Sequence, residues 1–198
     1  MTLLDVILYF VMPLAITALM TYGLIPYFHR KQFGQYIREE GPKAHLKKQG
    51  TPTMGGIAIF IGITAGMAIF MVRVSDPLKS WASPHLVRDA VAIVLTMLAF
   101  GAIGFIDDFN KIAKKENLGL TAKQKLIMQA VFSIGLAFYM MRTGREVLFI
   151  PYLKIGVSFG HLYIQFVMFV EIAMSNAVNL TDGLDGLAAG VVLIAAAA

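Results

Sequence analysis

From Val6 to Phe28 the chain runs for 23 residues without a charged side chain. A helix of that length crosses a bilayer hydrocarbon core of about 30 Å. In lipid only a helix or a closed barrel satisfies its own backbone groups, so this run reads as a membrane-spanning helix. Pro13 and Gly23 fall inside it, and both residue types are tolerated in such helices. A cleaved leader would need a basic start and a shorter apolar stretch. This chain begins Met-Thr-Leu-Leu-Asp and its basic residues follow the run, so the span is expected to be retained.

Four more apolar runs follow: Met54 to Val72, Ala90 to Ile106, Leu126 to Met141 and Leu162 to Val178. The last three are short, and flanking residues must complete them. Between the fourth and fifth lies EVLFIPYLKIGVSFGHLY, rich in β-branched and aromatic residues and broken by Pro151, Gly156 and Gly160. That pattern predicts a short β-hairpin, expected on the external side. The fold class is therefore an all-α, polytopic membrane helix bundle with one small hairpin, a single membrane domain over residues 1–198. A sixth apolar run begins at Gly186 and holds about 13 residues, too few to cross. It reads as a truncated span rather than a short interfacial end, so the sequence is expected to be the N-terminal part of a longer chain.

Composition supports the membrane class. Hydrophobic residues make up 58% and charged residues 15%, against about 25% charged in soluble domains. There is no cysteine, which excludes disulfides and thiolate-held metals. The net charge of +5 does not indicate nucleic acid, because no zinc-finger spacing and no basic helix with aromatic platforms accompanies it. The basic residues mark sides instead. Arg30, Lys31, Arg38, Lys43, Lys47 and Lys48 follow the first span. Lys111, Lys114, Lys115, Lys123 and Lys125 follow the third, so these two loops hold 11 of the 17 basic residues. They are assigned to the cytoplasm and the N-terminus to the outside. By parity, the segment Asn179 to Gly186 after the fifth span is also cytoplasmic.

Three motifs share that side. GFIDDFNK ends the third span, with Asp107 and Asp108 where apolar sequence meets water. Adjacent carboxylates repel and lose hydration there, so a cation, a lysine or a metal-bearing phosphate must compensate. On a helix the two point about 100° apart. One is expected to meet metal or nucleophile while the other pairs with Lys111, which lies at i+3 and i+4. In SNAVNLTDGLDGLAAG, Asn176, Asn179, Asp182 and Asp185 recur every three residues, a polar stripe on any helical segment. GPKAHLKKQGTPTMGG sets lysines and a glycine-rich helix entry together, which suits phosphate, but it is no Walker loop. Glu171 lies within the fifth span and is a functional candidate on that ground. His29, His45, His85 and His161 show no metal-ligand spacing. Acids, lysines and a membrane edge together suit phosphoryl transfer to a lipid, where positioning and charge neutralisation do most of the catalysis.

GTPTMGG, GFIDDFNK and NLTDGLDGLA, in this order, closely resemble the phospho-N-acetylmuramoyl-pentapeptide-transferases. These are a branch of the polyprenyl-phosphate N-acetylhexosamine-1-phosphate transferase superfamily. The resemblance runs from Met1 to Ala198. It implies a multi-pass protein of the bacterial inner membrane, a homodimer when full length, acting in peptidoglycan synthesis. It implies transfer of phospho-N-acetylmuramoyl-pentapeptide from its UDP carrier to undecaprenyl phosphate, with Mg²⁺, giving lipid I and UMP. By the same resemblance Asp107 and Asp108 are the paired catalytic acids, Asp107 taking a proton from the lipid phosphate or orienting it. Lys111 and Lys123 resemble phosphate-facing lysines. Lys48 and Thr53 match the nucleotide-side pocket, and Asn179, Asp182 and Asp185 the nucleoside cleft. The principal metal ligand is expected beyond residue 198, with Asp107 or Asp108 as contributors, so this chain alone is expected to be inactive. Direct attack by the lipid phosphate and a two-step route through a carboxylate are both open to these residues.

Four readings compete, one of them a non-catalytic scaffold produced by truncation. A related N-acetylglucosamine-1-phosphate transferase shares the chemistry. A transporter would more often carry its acids within the spans. A CDP-alcohol phosphotransferase needs an Ala-Arg pair after Asp-Gly, and no Arg follows Asp182-Gly183.

Overall fold

The computed structural model describes residues 3–31, 53–74, 84–114, 118–182 and 186–197. Two compact units emerge, Met1–Thr121 and Ala122–Ala198. Among the described residues five helices are long and apolar enough to cross a membrane, which is the polytopic helical class expected.

The first unit begins with α1, Leu3–Arg30, whose segment Ile7–Val11 is π-helical. Pro13 lies just beyond that segment, and its ring cannot sit against the carbonyl four residues back, so the helix widens there. Helix α2, Gly56–Val74, packs antiparallel against α1. Gly62 and Gly66 form a small-xxx-small face on which Pro13 and Thr17 rest. A Cβ on Gly62 would stand 2.8 Å from the Pro13 carbonyl oxygen and overlap the Thr17 hydroxyl. That hydroxyl already donates to Pro13 O at 2.9 Å, so it cannot swing aside freely. Gly62→Leu is therefore expected to cost about 1–3 kcal/mol through overpacking. A thermal scan of the detergent-solubilised protein checks this, and an unchanged midpoint would refute the close packing. At the far end of the pair Arg73 meets Asp5 at 3.2 Å. Tyr9 sits edge-on to Phe70 at 5.9 Å. Helix α3, Pro84–Lys114, lies against α2 where Gly101 admits the Phe60 ring.

The second unit is built on α4, Ala122–Arg142, and α5, Tyr163–Thr181. Between them β1, Val147–Ile150, pairs antiparallel with β2, Ile155–Ser158, in the register Val147↔Ser158 to Ile150↔Ile155. This is the hairpin that the sequence pattern predicts. Its base is fixed by the Tyr163 hydroxyl, which donates to Arg145 O at 3.0 Å. The Phe159–Phe166 stack at 4.3 Å holds the same end. Ala137, Tyr163 and Val167 form the buried centre. Helix α6, Leu187–Ala197, closes the chain.

Beside buried Phe28, Ile103, Tyr163 and Val167, small and polar groups are buried while many large apolar side chains are exposed. Ala58, Ala90, Asp107, Gln129, Ser133 and Ala137 are buried, whereas Leu19, Leu95, Ile127 and Phe169 are exposed. Lipid is as apolar as leucine, so helices gain by turning small and polar groups toward one another.

Helix α3 extends well past the apolar run Ala90 to Ile106, because Arg88, Asp89, Asp107 and Asp108 break the hydropathy but not the helix. Helix α4 likewise starts at Ala122, ahead of Leu126, with Lys123 and Lys125 in its first turn. Lysine stems cover apolar surface while their heads stay in water.

Candidate active site

The C-terminal part of α3 carries the paired acids. Asp107 is 5% exposed, an unusual state for a carboxylate. Lys111 Nζ donates to Asp107 Oδ2 at 2.7 Å and to Asp108 Oδ1 at 3.2 Å. Both reaches follow from helix geometry, since i+3 and i+4 flank one face. The division of labour expected from the sequence, with only one acid on the lysine, is thus replaced by a lysine that bridges both.

The remaining oxygens are also engaged. Leu120 N–H donates to Asp107 Oδ1 at 2.8 Å. The Thr53 hydroxyl donates to Asp108 Oδ2 at 2.9 Å. The first of these bonds is a backbone latch. It holds Leu120 against α3, and Gly119 makes it possible by leaving room beside Asp107. The second bond joins two sequence motifs. Thr53 and Met54 lead into α2, and Met54 adopts φ 69°, a left-handed conformation rare for a side chain of this kind. Met54 is itself buried, and its carbonyl accepts the first helical amide, from Ile57, at 3.1 Å. The glycine-rich entry is thereby held against the acidic motif.

Lys111 has three N–H donors, of which two go to the acids. Its side chain is 36% exposed, so the third donor is open to an anionic oxygen. The acids that hold it differ. Asp107 is enclosed at 7% side-chain exposure, while Asp108 is 32% exposed and more open to a ligand.

No cluster of three or more His, Cys, Asp or Glu that could hold a metal occurs among the described residues. All four oxygens of Asp107 and Asp108 already accept a hydrogen bond or face Lys111. The described residues therefore do not by themselves fit a divalent cation.

In the second unit, Asn179 and Asp182 are exposed at the end of α5. Asp182 closes the helix, its N–H donating to Val178 O at 3.2 Å. Lys123 is exposed in the first turn of α4. Lys48 and Asp185 lie outside the described residues. Glu171 is half-buried on α5 and faces Ser133 of α4. Gln129 and Ser133 were not singled out by sequence reasoning, although a glutamine within an apolar run is a signal of its own. Nothing in the sequence marked Gly119 and Leu120, whose contribution is space and a backbone amide.

The comparisons with known proteins agree with these motifs. Residues 90–198 match the family model described as glycosyl transferase family 4. Residues 48–60 match the phospho-N-acetylmuramoyl-pentapeptide-transferase signature 1. A phospho-N-acetylmuramoyl-pentapeptide-transferase of Halalkalibacterium halodurans is 45% identical over 197 residues, covering 98% of this chain and 56% of the relative. One from Clostridium botulinum is 42% identical over 170 residues, 86% of this chain and 49% of the relative. One from Bacillus thuringiensis is 42% identical over 174 residues, 86% and 50% respectively. The chain thus spans about half the length of the curated relatives it matches. With the acidic pair inside the family match and Thr53 inside the signature, the chain belongs to glycosyl transferase family 4 and bears the mark of its phospho-N-acetylmuramoyl-pentapeptide-transferases.

Proposed function

We propose that this chain serves a membrane phosphosugar transferase that moves phospho-N-acetylmuramoyl-pentapeptide from UDP to undecaprenyl phosphate, giving lipid I and UMP. The observation that carries the reading is the Thr53–Asp108–Lys111–Asp107 cluster. It joins the signature segment to the acidic pair and leaves one ammonium donor for phosphate. The names of the relatives supply the donor sugar.

In the direct route, an oxygen of the lipid phosphate attacks the sugar-bearing β-phosphorus. A new P–O bond forms, the bond to the α-phosphate oxygen breaks, and UMP leaves. Lys111 neutralises charge on the phosphates, which is worth most where water is scarce. Asp107 takes a proton from the lipid phosphate or orients it; its burial and its 2.7 Å contact support a further part, that of aiming Lys111. Asp108 is the acid proposed to meet a ligand, a reading supported by its greater exposure and its bond from Thr53. Asn179, Asp182 and Asp185, with Lys48, serve the nucleoside side, and Lys123 a phosphate. The resemblance implies Mg²⁺, whose principal ligands would come from outside the described residues; no step here runs through it. The direct route predicts no covalent phospho-sugar on Asp107 or Asp108. Homodimerisation, a bacterial inner-membrane location, an external N-terminus and a cytoplasmic site belong to the same proposal. The concentration of basic residues after the first and third spans supports the sidedness.

The test is reconstitution of the complete protein in vesicles with undecaprenyl phosphate and UDP-N-acetylmuramoyl-pentapeptide. UMP release with formation of a lipid-linked phospho-sugar is expected. Product from UDP-N-acetylglucosamine instead would move the protein to the neighbouring branch. No product from either donor would refute the transferase reading.

A further inference from the structure

The α4–α5 pair carries a polar lock inside a membrane-spanning hairpin. Gln129 of α4 is 4% exposed. Its Nε2 donates to the Ser175 hydroxyl at 3.1 Å, and its Oε1 accepts from Asn176 Nδ2 at 3.0 Å. Asn176 Nδ2 also donates to Ile172 O, one turn back, at 2.8 Å. Both ends of one amide are thus spent on two adjacent residues of the facing helix. Successive residues on a helix point about 100° apart. A single group that bonds to both fixes the helix in rotation as well as in height. Hydrogen bonds of this kind between polar side chains hold membrane helices together.

What the lock fixes is the start of the second polar motif. Asn176 and Asn179 lie three residues apart on α5, a rise of about 4.5 Å, and Asp182 follows three residues later as the cap of that helix. Asn176 is turned inward to Gln129, while Asn179 and Asp182 emerge exposed beyond it. Beyond Asp182 the helix has ended. The phase of α5 at Asn176 therefore sets where Asn179 and Asp182 point.

We infer that Gln129 is a positioning residue for the nucleotide donor: it sets the rotational phase of the α5 end that presents Asn179 and Asp182. It touches no substrate and acts through Asn176. The inference rests on the transferase reading above, in which that motif serves the nucleoside side.

The experiment uses the complete protein and two variants. Gln129→Met keeps length and volume but removes both hydrogen bonds. Ser175→Ala removes one arm and favours the helix. For each, kcat, the KM for the UDP-sugar donor, the KM for undecaprenyl phosphate and the thermal midpoint are measured. Gln129→Met is expected to raise the donor KM about ten-fold, the scale of a displaced orienting group, with the lipid KM within about two-fold. Ser175→Ala is expected to raise the donor KM about three-fold. A merely structural role would lower folded yield and the midpoint and leave both KM values unchanged, which overturns the inference. If Gln129→Met does not fold, Ser175→Ala decides alone, and an unchanged donor KM overturns it. If the unsubstituted protein turns over neither donor, the transferase reading itself has failed and takes this inference with it. Turnover by the unsubstituted protein with unaltered donor KM in the variants sinks only the inference.

Discussion

Asp107→Asn is expected to reduce UMP release by the complete protein about 10²–10³-fold, the scale of losing one preorganised charge-stabilising group. The substitution is chosen for what it keeps. An amide oxygen still accepts the Leu120 N–H, so the latch beside Gly119 survives. What it loses is the charge at the 2.7 Å contact with Lys111. The amide nitrogen, itself a donor, would then face an ammonium that has only donors. Lys111 is left with Asp108, at 3.2 Å and on the more exposed side of the cluster. It should turn toward that side and away from the direction that Asp107 enforces. The thermal midpoint should move little, because an ion pair whose lysine is more than a third exposed contributes modestly to stability. Initial rates of UMP release and a thermal scan on the same preparation check both halves. Near-normal turnover in Asp107→Asn would show that the orientation of Lys111 by this acid is immaterial.

The membrane architecture was legible because lipid imposes a simple rule, and charge-free length answers it directly. The run Val6 to Phe28, the hairpin between Pro151 and its flanking β-branched residues, and the i+3, i+4 relation of Lys111 to the acids are all local patterns. Local patterns survive in sequence. Other features depend on which helices pack together. Thr53 meets Asp108 across 55 positions, and Asn176 meets Gln129 across 47. Either partner looks alone like a polar residue at a span's edge. The resemblance brought Thr53 to notice as a nucleotide-side residue, but its bond to the acidic pair needed the packing of α2 on α3. Hydropathy also mistook charge for helix ends. Helix α3 continues through Asp107 and Asp108 because Lys111 compensates them from one turn on, a pairing that a sliding average does not see.

Gly119→Ala should lower both stability and activity, and this pairing separates it from Asp107→Asn. A Cβ at Gly119 would stand 2.6 Å from the Asp107 carbonyl oxygen and 2.8 Å from its Cγ, and would overlap Oδ1. None of these atoms can yield cheaply. The carbonyl belongs to α3, and the carboxylate is held by Lys111 and Leu120. The segment at Gly119 must therefore lift away, which breaks the 2.8 Å bond from Leu120 N–H to the enclosed carboxylate. Overpacking of this kind costs about 1–3 kcal/mol, so the thermal midpoint should fall by several degrees. The acid that aims Lys111 moves with it, and UMP release should fall about ten- to a hundred-fold. Gly23→Ala is the control: a Cβ there meets nothing within 4 Å, and alanine favours a helix interior. Its rate should match the unsubstituted protein, and its midpoint should be equal or slightly higher. A Gly119→Ala protein as stable and as active as that control would mean the segment does not close on Asp107.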